Sequence, residues 1–417
     1  MGETFVQKVF SRKVGKKVIP SEIVVVEPDF VLSHDNAAPI SKIFGKFGVE
    51  KIKYPERLVI ILDHTVPAPT EVEAGNHKLI REFVKEQNIP NFYDVNTGIC
   101  HQVLSEKGYA LPGKIILGSD SHTTTYGAFG AFSAGIGRTE VASIWATGEL
   151  WMRVPETIRI ILKGDLPKGV YAKDVILHII GEIGADGATY KAVEFTGELA
   201  DKFSIASRMV FSNMAAEMGA KAGYFHPDDK TIEFIKDIAK ADYEILKSDP
   251  DAEYEKTLEF DVSNLIPQIA KPHTVDNVSP VNEVEGTKIH QGLIGTCTNG
   301  RVEDLEEAAK ILKGKKIKEG VRCLVFAASM QEYIKALKKG LIEVFAKAGC
   351  IVMNPGCGPC LGAHEGVLAP GETAISTANR NFKGRMGSRE AFVYLGSPAT
   401  VAASVIEGEI TDPRKYL

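Results

Sequence analysis

Long apolar runs are missing from this 417-residue chain: no stretch approaches the roughly 18 residues that cross a bilayer, so no membrane span is expected. Cysteine is scarce, six residues in all, which is too few for a disulfide scaffold. Neither sign of charge dominates, since 49 basic and 54 acidic side chains leave a net charge of −5, and that balance argues against nucleic acid as a partner. The opening residues, MGETFVQKVFSRKVGKK, lack the apolar core of an export signal and suit a short amphipathic helix. Repeats, low-complexity tracts and flexible Gly/Ser linkers are also missing. A cytoplasmic, reducing setting is the resulting expectation, with thiols that are free or bound to metal.

What is present is a 44% apolar chain long enough for large cores and for two to three domains of roughly 100–200 residues each. Short apolar runs alternate with amphipathic stretches, the pattern of an α/β protein with mainly parallel sheets. LVIIL at 58–62 predicts a buried strand, and 115–117, 293–294, 324–326, 351–353 and 392–395 repeat the signal. Residues 76–88 predict a helix with Leu79, Ile80, Phe83 and Val84 on one face, closed by Pro90. VEDLEEAAKIL at 302–312 predicts another, apolar at 302, 305, 308, 309 and 312. A Trp-rich helix (SIWATGELWMRV) is expected before Pro155, a charged helical region over 228–256, and a polar crossing linker in KPHTVDNVSPVNEVEGTK. Breaks near 155 and 275 divide the chain into 1–155, 156–275 and 276–417.

The polar clusters come directly after the predicted strands. Asp63-His64 comes after LVIIL, the Ser119–His122 stretch after IILG, Cys297 after LIGT, and Cys357-Gly358-Pro359-Cys360 after IVMNPG. Ligands of open α/β sheets bind outside the carboxyl ends of the strands, so four separate segments point to one composite site.

Cys357-x-x-Cys360 alone fits a redox pair, and a zinc ribbon would need a second such pair that the sequence lacks. Cys297, in GTCTNGR, changes the balance. It stands just ahead of the 302–312 helix, whose dipole would favour its thiolate. NPGCGPC sets two more thiols on a tight loop with free backbone N–H groups. Three thiolates, rather than four, suit an iron–sulfur cluster with one iron open to substrate. Cys100, Cys323 and Cys350 look less like ligands, the last two bordering apolar strands as core thiols would.

GTCTNG, NPGCGPCLG and NRNFKGRMG, in that order, resemble the cluster and substrate motifs of the aconitase superfamily. The length and both ends resemble the large subunits of its two-subunit branch, the 3-isopropylmalate dehydratases and homoaconitases. The resemblance implies three α/β/α domains around one [4Fe-4S] cluster, held by Cys297, Cys357 and Cys360 with one iron open. It further implies that the swivelling fourth domain, with the base that abstracts the proton, belongs to a small partner subunit, so that the chain is incomplete alone. The reaction implied is dehydration and rehydration of a small hydroxy di- or tricarboxylate, with 2-isopropylmalate in leucine biosynthesis ahead of homocitrate and dimethylmalate.

Roles come residue by residue from the same resemblance. Asp63 and His64 match the pair that protonates the departing hydroxyl, and a carboxylate-held His is a sensible acid near neutral pH. His101, Asp120 and His122 match groups that orient the hydroxyl or water at the open iron. Arg380 and Arg385 match carboxylate-binding residues, with Asn379 beside them, and forked guanidinium donors suit that task. Glu217 and Asn213, four apart in SNMAAEMG and expected on one helical face, are implied to reach the iron-bound water and the cluster. His77, His178, His226 and His290 carry no motif. His34-Asp35-Asn36 stands where citrate-acting members have a Gln-led stretch, which speaks against a citrate-like third carboxylate. Two other classes compete with this reading. An iron sensor that binds RNA when its cluster is lost is disfavoured by the acidic balance, and a thiol–disulfide oxidoreductase leaves Cys297 and NRNFKGR unexplained.

Overall fold

Leu58–Ile61 forms a strand whose four side chains are all buried, and Ile115–Gly118 repeats the pattern. Strands covered on both faces are the signature of parallel sheets with helices on either side. The computed structural model describes residues 2–417 and builds two all-parallel sheets, a third that is parallel except at one edge, and a two-stranded ribbon. The first sheet has five parallel strands in the order Asn91–Tyr93, Leu58–Ile61, Phe30–Ser33, Ile115–Gly118 and Phe132–Gly135. The second has four, with Thr157–Lys163 between Ala192–Thr196 and Lys256–Asp261. The third has seven; Gln291–Ile294 lies within it, between Arg322–Val325 and Thr373–Ser376.

One core runs from the second sheet to the underside of the third, joining Ile160 and Phe211 to Leu293, Phe326 and Cys360. Cys323 and Cys350 are buried in the core of the third sheet, as expected of structural thiols. The N-terminal helix, Phe5–Val14, packs its Phe5, Val9 and Phe10 face into the first core.

Several local expectations need correction. The helix expected over 76–88 begins earlier, at Glu71 behind an N-capping Thr70, and ends at Asn88 in the left-handed conformation, two residues before Pro90. The Trp-rich stretch divides: the helix Arg138–Thr147 stops at Gly148 (φ 82°), and Trp151 lies on the strand Leu150–Arg153, paired with Val25. Only Asp229–Ile235 of the 228–256 region is helical. The later part of that region is held by the N-terminal segment instead, with Ser248 Oγ accepting the Phe5 N–H and Asp249 accepting the Glu3 N–H, each at 2.8 Å. That docking overrides helix propensity. The polar crossing stretch contains the strand Val278–Pro280, which pairs antiparallel with Gln268–Ala270 at the edge of the third sheet.

Candidate functional site

The first sheet supplies a run of carboxylates and imidazoles. Asp63 and His64 come after the strand Leu58–Ile61, and their turn is fixed by Asp35, which lies beyond the neighbouring strand Phe30–Ser33. Asp35 Oδ2 accepts the N–H groups of Asp63 and His64, both at 2.9 Å, and Oδ1 accepts the Thr65 hydroxyl at 2.7 Å. His64 Nδ1 lies 2.5 Å from Asp63 Oδ1, and the other Asp63 oxygen accepts the Cys100 N–H at 2.7 Å. His64 Nε2 faces Asp120 Oδ2 at 3.7 Å. Asp120 then spans the next pair: its Oδ1 lies 2.9 Å from His101 Nε2 and accepts the His122 N–H at 2.7 Å. His122 Nε2 lies 2.7 Å from Glu217 Oε1, and Arg380 Nε donates to both Glu217 oxygens at 2.9 and 3.0 Å.

This line of alternating charge sets its own protonation. Burial disfavours charge on His64, but the Asp63 carboxylate and other anionic neighbours outweigh it and hold the imidazole protonated well above its ordinary range. Burial likewise works against Asp120, yet three flanking histidines keep it ionised well below the usual carboxylate range. His34, stacked on His64 with ring centroids 3.8 Å apart, is pushed down to about 4 by burial and by the charge of His64. The two rings of the stack are thus shifted in opposite directions, His64 up and His34 down.

The third sheet supplies the sulfurs. Cys297 lies in a single turn of helix, Thr296–Asn299, directly after the strand Gln291–Ile294. Cys357 and Cys360 lie on the loop beyond Ile351–Val352. Both loops rest on Phe326. A Cβ on Gly295 (φ 136°) would stand 2.2 Å from the Phe326 carbonyl oxygen, and one on Gly358 (φ 52°) 2.4 Å from its ring. Only glycine fits these approaches. All three thiols are buried. Burial pushes Cys297 up to about 12 and raises Cys357 further, against the helix dipole and backbone N–H groups that favour the Cys297 thiolate.

Donors nonetheless converge on the sulfurs. Asn213 and Asn379 direct side-chain amides to Cys297 Sγ at 3.3 and 3.5 Å, and Arg385 Nη2 donates to Cys360 Sγ at 3.6 Å. Buried thiols surrounded by N–H donors suit sulfur whose charge is taken up by bound metal. Among the described residues the three sulfurs do not form a group whose atoms all lie within 4.8 Å of one another, the span that a single ion would require. A narrow cleft of about 30 Å³ separates the two sides, with His64, His101, Asp120 and His122 on one wall and the three cysteines, Asn379 and Arg385 on the other.

The structure thus brings together Asp63, His64, His101, Asp120, His122, Glu217, Asn213, Asn379, Arg380, Arg385 and the three cysteines. One detail differs from the sequence expectation. Asn213 lies at the end of the helix Ile205–Met214, but Glu217 lies in the next 3-10 turn, Ala215–Met218, so the two do not share a helical face. His77, which has no motif, is buried with Nε2 2.9 Å from Asp35 Oδ1, and so supports the Asp63-His64 turn at one remove. In the sequence, Asp35 stands out only as part of a departure from the family pattern. No local pattern marks either residue for this role.

Comparison with known proteins gives a consistent match. The model of the aconitase family (aconitate hydratase) matches residues 7–287 and 281–408. The 3-isopropylmalate dehydratase large subunit 1 of Methanopyrus kandleri is 53% identical over 418 residues, covering all of both chains. A probable methanogen homoaconitase large subunit of Methanosarcina mazei is 54% identical over 393 residues, 94% of this chain and all of its own. The crystal structure of Thermococcus kodakaraensis aconitase X superposes with a TM-score of 0.49 at 13% identity, covering 90% of this chain and 89% of that one.

Proposed function

The chain belongs to the aconitase family, and from that premise we propose that it is the large subunit of a two-subunit 3-isopropylmalate dehydratase, a hydro-lyase that interconverts 2- and 3-isopropylmalate. The observation that carries this is the cleft in which His64 faces three buried sulfurs. Cys297, Cys357 and Cys360 would hold one [4Fe-4S] cluster, leaving one iron without a protein ligand. Three sulfurs spread beyond the reach of a single ion support a cluster over zinc. When bound, the cluster supplies a Lewis acid for the hydroxyl and one carboxylate of the substrate.

The chain's own residues do the rest. His64, held by Asp63, gives the proton on its Nε2 to the departing hydroxyl and takes it back on rehydration. Asp120 fixes His101 and His122 around that oxygen, and Glu217 fixes His122 from the far side. Arg385 and Arg380 bind carboxylates. Arg380 spends only Nε on Glu217, and among the described residues its two terminal nitrogens have no protein partner, so they form a ready fork for an anion. Asn213 and Asn379 support the Cys297 sulfur. The base that removes the carbon-bound proton comes from a small subunit carrying the fourth domain, a division supported by relatives called large subunits.

A second reading, homocitrate to homoisocitrate, is favoured by the Methanosarcina mazei relative at almost equal identity. Anaerobic reconstitution and then assays with and without a small subunit test both. Turnover of 2-isopropylmalate that appears only in the two-subunit enzyme, and resists competition by homocitrate, supports the first. Turnover by this chain alone would refute the division of labour.

A further inference from the structure

Lys173 is fully buried and belongs to none of the motifs above. It stands in the first turn of the helix Ala172–Ile183, where the helix dipole disfavours a cation and where it does nothing for helix stability. Its ammonium donates to the backbone carbonyls of Thr377 and Ala378 at 2.9 and 2.6 Å. These are the two residues directly before Asn379 and Arg380. The Thr377 hydroxyl donates to the Gly295 carbonyl and accepts the Gly295 N–H, both at 2.9 Å, so the same segment is also tied to the start of the Cys297 loop. A lysine of the second sheet's layer thereby clasps two loops of the third.

An isolated buried ammonium is costly, and two carbonyls offset that only in part. Burial pushes Lys173 down to about 7, and the groups that oppose this most are the sulfurs of Cys297 and Cys360, ahead of Asp304 and Glu217. A cluster ligated by three thiolates carries net negative charge, and a fixed cation nearby stabilises it and raises its reduction potential.

We propose that Lys173 is a positioning residue with two linked tasks: it clasps residues 377–378 so that Asn379 lines the cleft and Arg380 meets Glu217, and it is the buried counter-charge of the cluster on its Cys297/Cys360 side. This rests on the cluster assignment made above. It predicts that charge and clasp can be separated. Lys173→Gln keeps a donor for the carbonyls but loses the charge, whereas Lys173→Met loses both.

The test uses the reconstituted chain for iron content and cluster midpoint potential, and the assembled two-subunit enzyme for kcat and KM. Lys173→Gln is expected to shift the potential to more negative values and to hold iron about tenfold more weakly, with KM little changed. Lys173→Met should show the same shift and, in addition, KM raised about tenfold. Potentials equal to wild type in both variants overturn the counter-charge, and an unchanged KM in Lys173→Met overturns the clasp. Should neither variant fold, wild-type protein labelled with ¹⁵N-lysine decides: a lysine nitrogen coupled to the reduced cluster in pulsed electron paramagnetic resonance supports the proposal, and no coupling refutes it. A wild-type chain left colourless by reconstitution would instead remove the cluster assignment itself, and the counter-charge with it.

Discussion

Asp35 and His77 meet at 2.9 Å in the interior of the first sheet's layer, 42 residues apart in sequence, and neither touches the cleft. Their contact stands behind the Asp63-His64 turn, because the carboxylate that His77 holds is the one that accepts the N–H groups of both residues. Replacing His77 with Ala leaves a buried carboxylate short of a partner and is expected to cost about 3 kcal/mol in thermal or denaturant unfolding. The same variant should lower kcat more than it raises KM, since the acid is displaced while the arginines stay in place.

Two neighbours contribute to the acid side of the stability curve. His34 stays neutral down to about 4, whereas the unfolded chain protonates a histidine near 6.5. Between those values the unfolded state binds more protons, so stability falls as pH drops through that window. Asp35 is depressed, since His77 and the nearby imidazoles overcome its burial, and its contribution is lost only below the ordinary carboxylate value of about 4. Melting temperatures across pH should show one continuous decline with two parts. His34→Gln is expected to flatten the upper part and Asp35→Asn the lower.

The six cysteines should divide cleanly in an iron assay. Cys297→Ser is expected to abolish the absorbance near 400 nm and most of the bound iron, as is Cys360→Ser. Cys323→Ala should keep both and lose only about 1 kcal/mol of stability, because its thiol packs in the core of the third sheet. Loss of iron in Cys323→Ala would contradict the assignment.

Gly295 offers a different handle. Its φ of 136° and the 2.2 Å approach to the Phe326 carbonyl leave no room for a methyl group, so Gly295→Ala must move the Cys297 loop. Backbone strain of about 1–3 kcal/mol is expected. Circular dichroism should show a folded chain, and reconstitution should load well under the wild-type amount of iron.

Glu217 joins His122, on the imidazole wall of the cleft, to Arg380. Glu217→Gln preserves volume but removes the charge that both partners face. A fall in kcat/KM of about a hundredfold with an intact cluster spectrum is the expected outcome.

Much of this site is legible in the sequence because its chemistry sits at strand ends. Apolar runs such as 58–62 and 293–294 mark sheet strands, and the residues just beyond them must lie at the carboxyl edge. The glycines of GTCTNG and NPGCGPC mark loops with unusual backbone, which is where they occur. Support built by contact across the chain escapes such reading. His77 on its helix looks like any polar residue in an amphipathic pattern, and its partner 42 residues away is set by how the helix packs. Lys173 looks like a solvated lysine, because composition carries no sign that the helix start will face the turn at 377–378. Residues 236–255 have helical composition but serve as a strap for the N-terminal helix, and local propensity gives way to that docking.

The place of Gln291–Ile294 inside the third sheet has a consequence for biosynthesis. The imidazole wall of the cleft is complete once residue 122 has been made, whereas its opposite wall needs residues 297 to 385. As the chain leaves the ribosome, the proton-handling half exists for most of synthesis with nothing facing it. A cluster held by Cys297, Cys357 and Cys360 can therefore be loaded only after residue 360 has been made, and a chain stalled before residue 357 would lack two of its three ligands and the strands Thr373–Ser376 and Phe392–Leu395 that complete the third sheet.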